Sequence, residues 1–109
     1  RVSKRTIRKV LALMATIQIK TPFPEQATPL VKDAIDRETK LVRDGLAATN
    51  ERIAALTHEL GVTESDLLEG TVGRTEANEL PLLELEGELA VRRSLEDALR
   101  SLNSLELCG

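Results

Sequence analysis

The sequence predicts an all-α fold. A short N-terminal helix leads into a long antiparallel helical hairpin with a small helical insert at its tip, completed as a bundle by oligomerisation. Three observations carry this expectation. The apolar residues are aliphatic: 41% of the 109 residues are hydrophobic and only 1% aromatic, which suits cores built from Leu and Ala layers on helices. Apolar residues recur at steps of three and four over two long stretches. The segment between them, "ELGVTESDLLEGTVGRTEANELPLLELEG" from Glu59 to Gly87, carries the Gly, Thr and Asn of helix ends rather than strand alternation. At this length a single domain spanning 1–109 is expected.

The first helix is placed over 3–17. Ile7, Val10, Leu11, Met14 and Ile17 form one apolar stripe, with Arg5, Arg8 and Lys9 off it. Val10 to Ile17 behind a basic start also resembles the opening of a signal peptide; the spacing is read instead as an amphipathic helix of the domain. "IQIKTPFP" contains Pro22 and Pro24 and reads as an extended connector.

The long helix is placed over 29–60. Thr28 would supply the cap oxygen and Pro29 would take the first helical position, where a missing N–H costs nothing. Val31, Ile35, Val42, Leu46, Ile53, Leu56 and Leu60 then make a heptad-like seam. Ala34, Leu41, Ala48 and Ala55 widen it. Asp33–Arg37 and Asp36–Lys40 are spaced for acid-first pairs along the surface. Gly45 is a weak point inside the helix, and Gly61 ends it.

The insert and loop occupy 61–77. Thr63 and Asp66 have capping-box spacing and start the turn "ESDLLEG", which Gly70 stops. Val62, Leu67, Leu68 and Val72 supply apolar anchors. They can plug the open end of a helix pair, or Leu67 and Leu68 can present a knob to a partner. The last helix is placed over 79–106 with Asn78 as its cap, because a start at Thr75 would put Pro81 in the interior. Leu82, Leu83, Leu85 and Leu89 lead into Val91, Leu95, Ala98, Leu102 and Leu105, a broad stripe with a phase drift near Leu89–Val91. Glu88–Arg92 and Glu96–Arg100 have the spacing of surface ion pairs. Two long helices with such broad stripes cannot bury them against each other alone, so a second copy or another protein is expected to complete the bundle.

Charge is unevenly spread. The net formal charge is −3, yet the first twenty residues hold six basic residues and no acid, leaving nine basic and eighteen acidic residues for the rest. The acidic body suits a basic partner protein. Arg1, Lys4, Arg5, Arg8 and Lys9 are the residues that would touch nucleic acid if the chain binds any. Cys108 is the single cysteine, so no disulfide forms within one chain and a reducing cytoplasm is the expected setting. No stretch has the length and apolar content of a membrane span.

The residues offer no recognisable chemistry. His58 is the only histidine, with no Ser or Cys tied to it by spacing. A di-metal bundle needs Glu-x-x-His, and the position three before His58 is Ala55. Glu84 and Glu88 share a face, with Glu86 opposite; they read as solvated charges. There is no phosphate-binding loop, dinucleotide fingerprint or zinc spacing, and no aromatic platform for single-stranded nucleic acid. No cofactor, no metal and no catalytic residue are expected, and the chain is read as a non-enzyme.

The run "LxxELGVTESDLLEG", the Gly-bearing loop, the acidic Leu-rich start and the "LEDALRSL" ending resemble small prokaryotic helical proteins that form the antitoxin-like half of toxin–antitoxin pairs. The resemblance covers about 30–103 and rests on Gly61, Thr63, Ser65, Asp66, Leu68 and Gly70. Those proteins commonly carry a Phe near Leu68 and Trp or Tyr at the start of the last helix, where this chain has Leu82, Leu83 and Leu85. The resemblance implies a binding protein that masks a toxin, and the acidic surface would suit a basic, nucleic-acid-cleaving partner. The residues expected to meet a partner are Leu67, Leu68, Glu84, Glu86 and Glu88. A structural homodimeric scaffold is the alternative, followed by a nucleic-acid-binding regulator that uses the basic N-terminal helix.

Overall fold

A computed structural model describes residues 15–107, and every ordered element among them is helical. Helix α1 spans Pro24–Leu60, α2 spans Glu64–Leu68 and α3 spans Glu79–Asn103. At about 1.5 Å per residue, α1 is about 55 Å long and α3 about 37 Å. Helix α3 packs along α1. Their contacts run in opposite chain order: Arg52 meets Glu88, whereas Gly45 lies against Leu95.

Helix α1 begins a turn earlier than expected. Pro24 takes the first helical position, and the carbonyl of Phe23 accepts from the N–H groups of Gln26 and Ala27. Thr28 does not cap. Its hydroxyl donates back to the Pro24 carbonyl at 2.9 Å, and Pro29 sits inside the helix. Pro29 is the sixth residue of the helix, so it removes one backbone bond in the second turn, close to the exposed end. The predicted helix over 3–17 lies outside the described residues except for Ala15–Ile17, which are not helical.

The end of α1 follows from Gly61. Its φ of +64° permits the left-handed turn, and its N–H and that of Val62 return to the carbonyls of His58 and Thr57. This double closure gives the Thr57 and His58 carbonyls partners, and Val62 packs against the core. Thr63 then caps α2 in a complete box: the Asp66 N–H donates to the Thr63 hydroxyl at 3.1 Å, and the Thr63 N–H donates to Asp66 at 2.9 Å.

The entry to α3 differs from the sequence reading. Asn78 precedes the helix but sends no side-chain bond into it. It serves a second box instead. The Thr75 N–H donates to Asn78 Oδ1 at 2.7 Å, and the Asn78 N–H donates to the Thr75 hydroxyl at 3.3 Å. Thr75 therefore caps a preliminary turn. Pro81 falls early in α3, where few N–H groups have helical partners.

The core is small. Val42, Ile53, Leu56, Leu82 and Leu85 are buried, together with Thr49. Ile53, Leu56 and Leu85 form its centre, with Leu60, Val62, Leu67 and Leu89 packed around them. Leu67 thus closes the end of the helix pair. Leu68 does not: it is 84% exposed. Neighbouring residues on a helix diverge by about 100°, so a five-residue helix can bury only one of the two.

Candidate functional site

Three ion-pair knots gather at the insert and on the adjoining faces of α1 and α3. The first joins α2 to α3. Both terminal nitrogens of Arg92 donate to Glu64, and Arg92 Nη1 also reaches Asn50 of α1 at 3.4 Å. The hydrogen bond from Arg92 holds the Glu64 carboxyl below its ordinary 4.5. It outweighs the cost of burial, and the Arg92 charge pulls the same way. Glu64 raises Arg92 in return, chiefly through that hydrogen bond.

The second knot ties the loop before α3 to that helix. Arg74 donates to Glu79 at 3.3 Å and to Glu86 at 2.5 Å. The hydrogen bond to Glu86 is the main cause that raises Arg74. The third knot lies between the long helices. Arg52 Nε donates to Glu88 Oε1 at 3.0 Å, and its Nη2 donates to the buried Thr49 hydroxyl at 3.2 Å. Glu88 Oε2 is buried and has no hydrogen-bond partner among the described residues.

The residues expected to meet a partner are therefore separated. Leu67 packs on the core, whereas Leu68 stands out in solvent. Glu84 is exposed, and Glu86 is held by Arg74. Glu88 is not the solvated charge the sequence suggests. Its side chain is 18% exposed and bonded to Arg52, because it sits on the flank of α3 that lies against α1. The expected Glu88–Arg92 and Glu96–Arg100 pairs are re-sorted: Arg92 turns inward to Glu64, approaching Glu96 only at 3.9 Å, and Arg100 bonds Asp97 at 2.8 Å. Among the described residues Asp33–Arg37 and Asp36–Lys40 do not close, and Lys40 pairs with Asp44 at 3.6 Å. Arg1, Lys4, Arg5, Arg8 and Lys9 lie outside the described residues.

Sequence reasoning overlooked Thr49 and Arg92 as interior positions. The signal for Thr49 was its place seven residues from both Val42 and Leu56. The signal for Arg92 was its place seven after Leu85 and seven before Leu99. Long stems let such arginines line an apolar seam while the guanidinium seeks a carboxylate.

At the same end of the molecule, α2 and the first turns of α3 leave large apolar side chains in solvent. Leu68 is 84% exposed, Leu80 76% and Leu83 51%. Glu69 and Glu76, between the two helices, and Glu84 on α3 are exposed as well. Exposed leucines on a stretch that also carries exposed carboxylates are a composition suited to binding. No set of three His, Cys, Asp or Glu among the described residues is placed to hold a metal ion. No described helix is long and apolar enough to cross a membrane. Comparison with protein-family models, with curated proteins and with solved structures finds no match.

Proposed function

We propose that this chain is a non-enzymatic helical interaction module, antitoxin-like in operation, that masks a basic partner protein. In this reading α1 and α3 form an antiparallel helical hairpin in a cytoplasmic setting, with α2 and its loop as the insert at the tip. The observation that carries it is the tip itself, where Leu68, Leu80 and Leu83 are exposed beside acidic residues. Burying such leucines in a partner stabilises a complex by about 1.5–3 kcal/mol per side chain before the costs of association. The carboxylates would steer a basic surface onto them.

The test is a pull-down with the tagged full chain from the source cell at near-physiological salt, with light scattering and mass spectrometry on the eluate. A stoichiometric basic partner is expected, and Leu68→Asp combined with Glu84→Lys should release it. An eluate without such a partner, or a partner indifferent to those changes, overturns the reading. A structural homodimeric scaffold is the second reading, favoured by the small core of the single chain.

A further inference from the structure

The connector before α1 carries large apolar side chains that the fold leaves in water. Ile17 is 84% exposed, Ile19 68% and Phe23 63%. None of residues 15–30 is buried, and Phe23 is the single aromatic residue of the protein. The connector is not helical, and Pro22 and Pro24 flank Phe23. The Phe23 N–H donates to the Thr21 hydroxyl at 3.0 Å, which turns the chain into α1. Apolar residues exposed singly are ordinary on a protein surface, whereas three within seven positions of one connector mark a surface that meets something apolar.

Charge says what that something is. Residues 1–24 hold six basic residues and no acid, and Lys20 stands between Ile19 and Phe23. Residues 59–88 hold nine acidic residues and a single base, Arg74. Helix α1 runs from one stretch to the other, about 55 Å at 1.5 Å per residue. Charges are screened beyond about 8 Å at physiological salt. The connector therefore meets a partner with its own positive charge, and the net charge of −3 does not govern the encounter.

We infer that the connector attaches this protein to an anionic lipid bilayer. Ile17, Ile19 and Phe23 enter the boundary between headgroups and acyl chains, while Lys20 and the basic residues that precede it in sequence meet the lipid phosphates. Each base near such a surface strengthens attachment by about fivefold. A nucleic acid would take the bases but leave the three apolar side chains in water; the bilayer interface takes both. The backbone argues for the same depth. An irregular segment finds water and headgroups as hydrogen-bond partners in the interface but none in the hydrocarbon. No described helix is long and apolar enough to cross a membrane, so the attachment is peripheral. Repulsion from the anionic surface turns the acidic tip away from it, at the far end of α1. The attachment uses none of Leu68, Leu80 or Leu83 and does not depend on what the tip binds.

The test uses the full chain and sedimented vesicles at near-physiological salt. Vesicles of phosphatidylcholine with about 30% phosphatidylglycerol should carry the protein down, and pure phosphatidylcholine should not. Ile19→Ser combined with Phe23→Ser should weaken binding by more than about tenfold, and Lys20→Glu by more than about fivefold. These side chains are exposed, so both variants should keep the helical circular dichroism of the parent. Depth is read from Phe23→Trp, since the chain has no other Trp. Its emission should shift to the blue on anionic vesicles and be quenched by lipids brominated on the acyl chain. Absence of binding to anionic vesicles, or binding that survives the double serine change, overturns the inference. So does duplex DNA that binds as tightly as the vesicles and ignores that change, which would make the segment a polyanion site. Emission that is already blue without lipid, and more so at higher protein concentration, would place a second copy on the segment and overturn it too.

Discussion

Arg92, in the middle of α3, reaches across to Glu64 in the first turn of α2 and is the side chain that fastens the insert to the long helices. The bond serves two ends. It satisfies an arginine that occupies an inward heptad position, and it places a carboxylate at the start of α2, where acidic side chains are favoured. It also fixes which face of α2 turns inward, and hence that Leu67 packs while Leu68 does not.

This pair predicts a weak acid sensitivity. The folded state holds the Glu64 carboxyl below its ordinary 4.5. A depressed carboxylate contributes stability that is fully present above the ordinary value and is lost as pH falls through the folded one. Because the Glu64 side chain is 43% exposed, solvent screening limits the contribution to a fraction of a kcal/mol. Denaturant unfolding of the wild type and of Glu64→Gln should differ at pH 7, and the gap should narrow below pH about 4. An equal gap at both pH values would mean that the charge of Glu64 is not what holds the insert.

Thr49 predicts an effect of the opposite sign. It is fully buried in a seam that is otherwise apolar on α1, and its hydroxyl accepts from Arg52. Thr49→Val keeps the shape and removes the hydroxyl. Arg52 is half exposed and can bond water instead, so no polar group is stranded. The variant should be unchanged or stabler by up to about 1 kcal/mol in thermal unfolding. A loss of more than about 1 kcal/mol would show that the hydroxyl is needed to place Arg52 against Glu88.

Gly61 offers a backbone test. Its φ of +64° lies in the left-handed region, and nothing lies within 4 Å of an added Cβ. Gly61→Ala therefore meets no clash with its surroundings and reports conformational strain alone, expected at about 1–2 kcal/mol. A cost near zero would show that α1 can end without the left-handed turn.

Much of this fold is legible in the residues, and the failures are of two kinds. Apolar spacing marks α1 and α3 because a helix must bury one stripe, and Gly61, Thr63 and Asp66 mark the turn because backbone groups at helix ends need partners. Thr28 and Asn78 misled for the same reason that they attract notice. Their side chains do bond backbone, but to the Pro24 carbonyl and the Thr75 N–H rather than as caps of the long helices. Local grammar identifies such groups without saying which of two nearby partners they take. Arg92 and Glu88 failed differently. Spacing suggested a surface pair, whereas tertiary partners 28 and 36 residues away in sequence claim them, and no local pattern reveals a partner at that distance. The exposed tip was equally hidden, since Leu67 and Leu68 are indistinguishable until the orientation of α2 is known.

That last pair gives the sharpest prediction, because one step along the chain separates a structural role from a binding role. Leu67 packs against the cluster of Ile53, Leu56 and Leu85 but is only partly buried, so Leu67→Ala should cost about 1–2 kcal/mol, below the range for a fully buried leucine. Leu68 is 84% exposed, and Leu68→Ala should leave the melting temperature within about 1 °C of the parent. In the pull-down the order reverses. Leu68→Ala should lose the partner, while Leu67→Ala should retain it at temperatures where the variant stays folded. Equal destabilisation by both substitutions would mean that the insert buries both leucines in solution and that the tip is a plug throughout. Retention of the partner by Leu68→Ala would remove Leu68 from the binding surface and leave Leu80 and Leu83 as the apolar residues that could carry it.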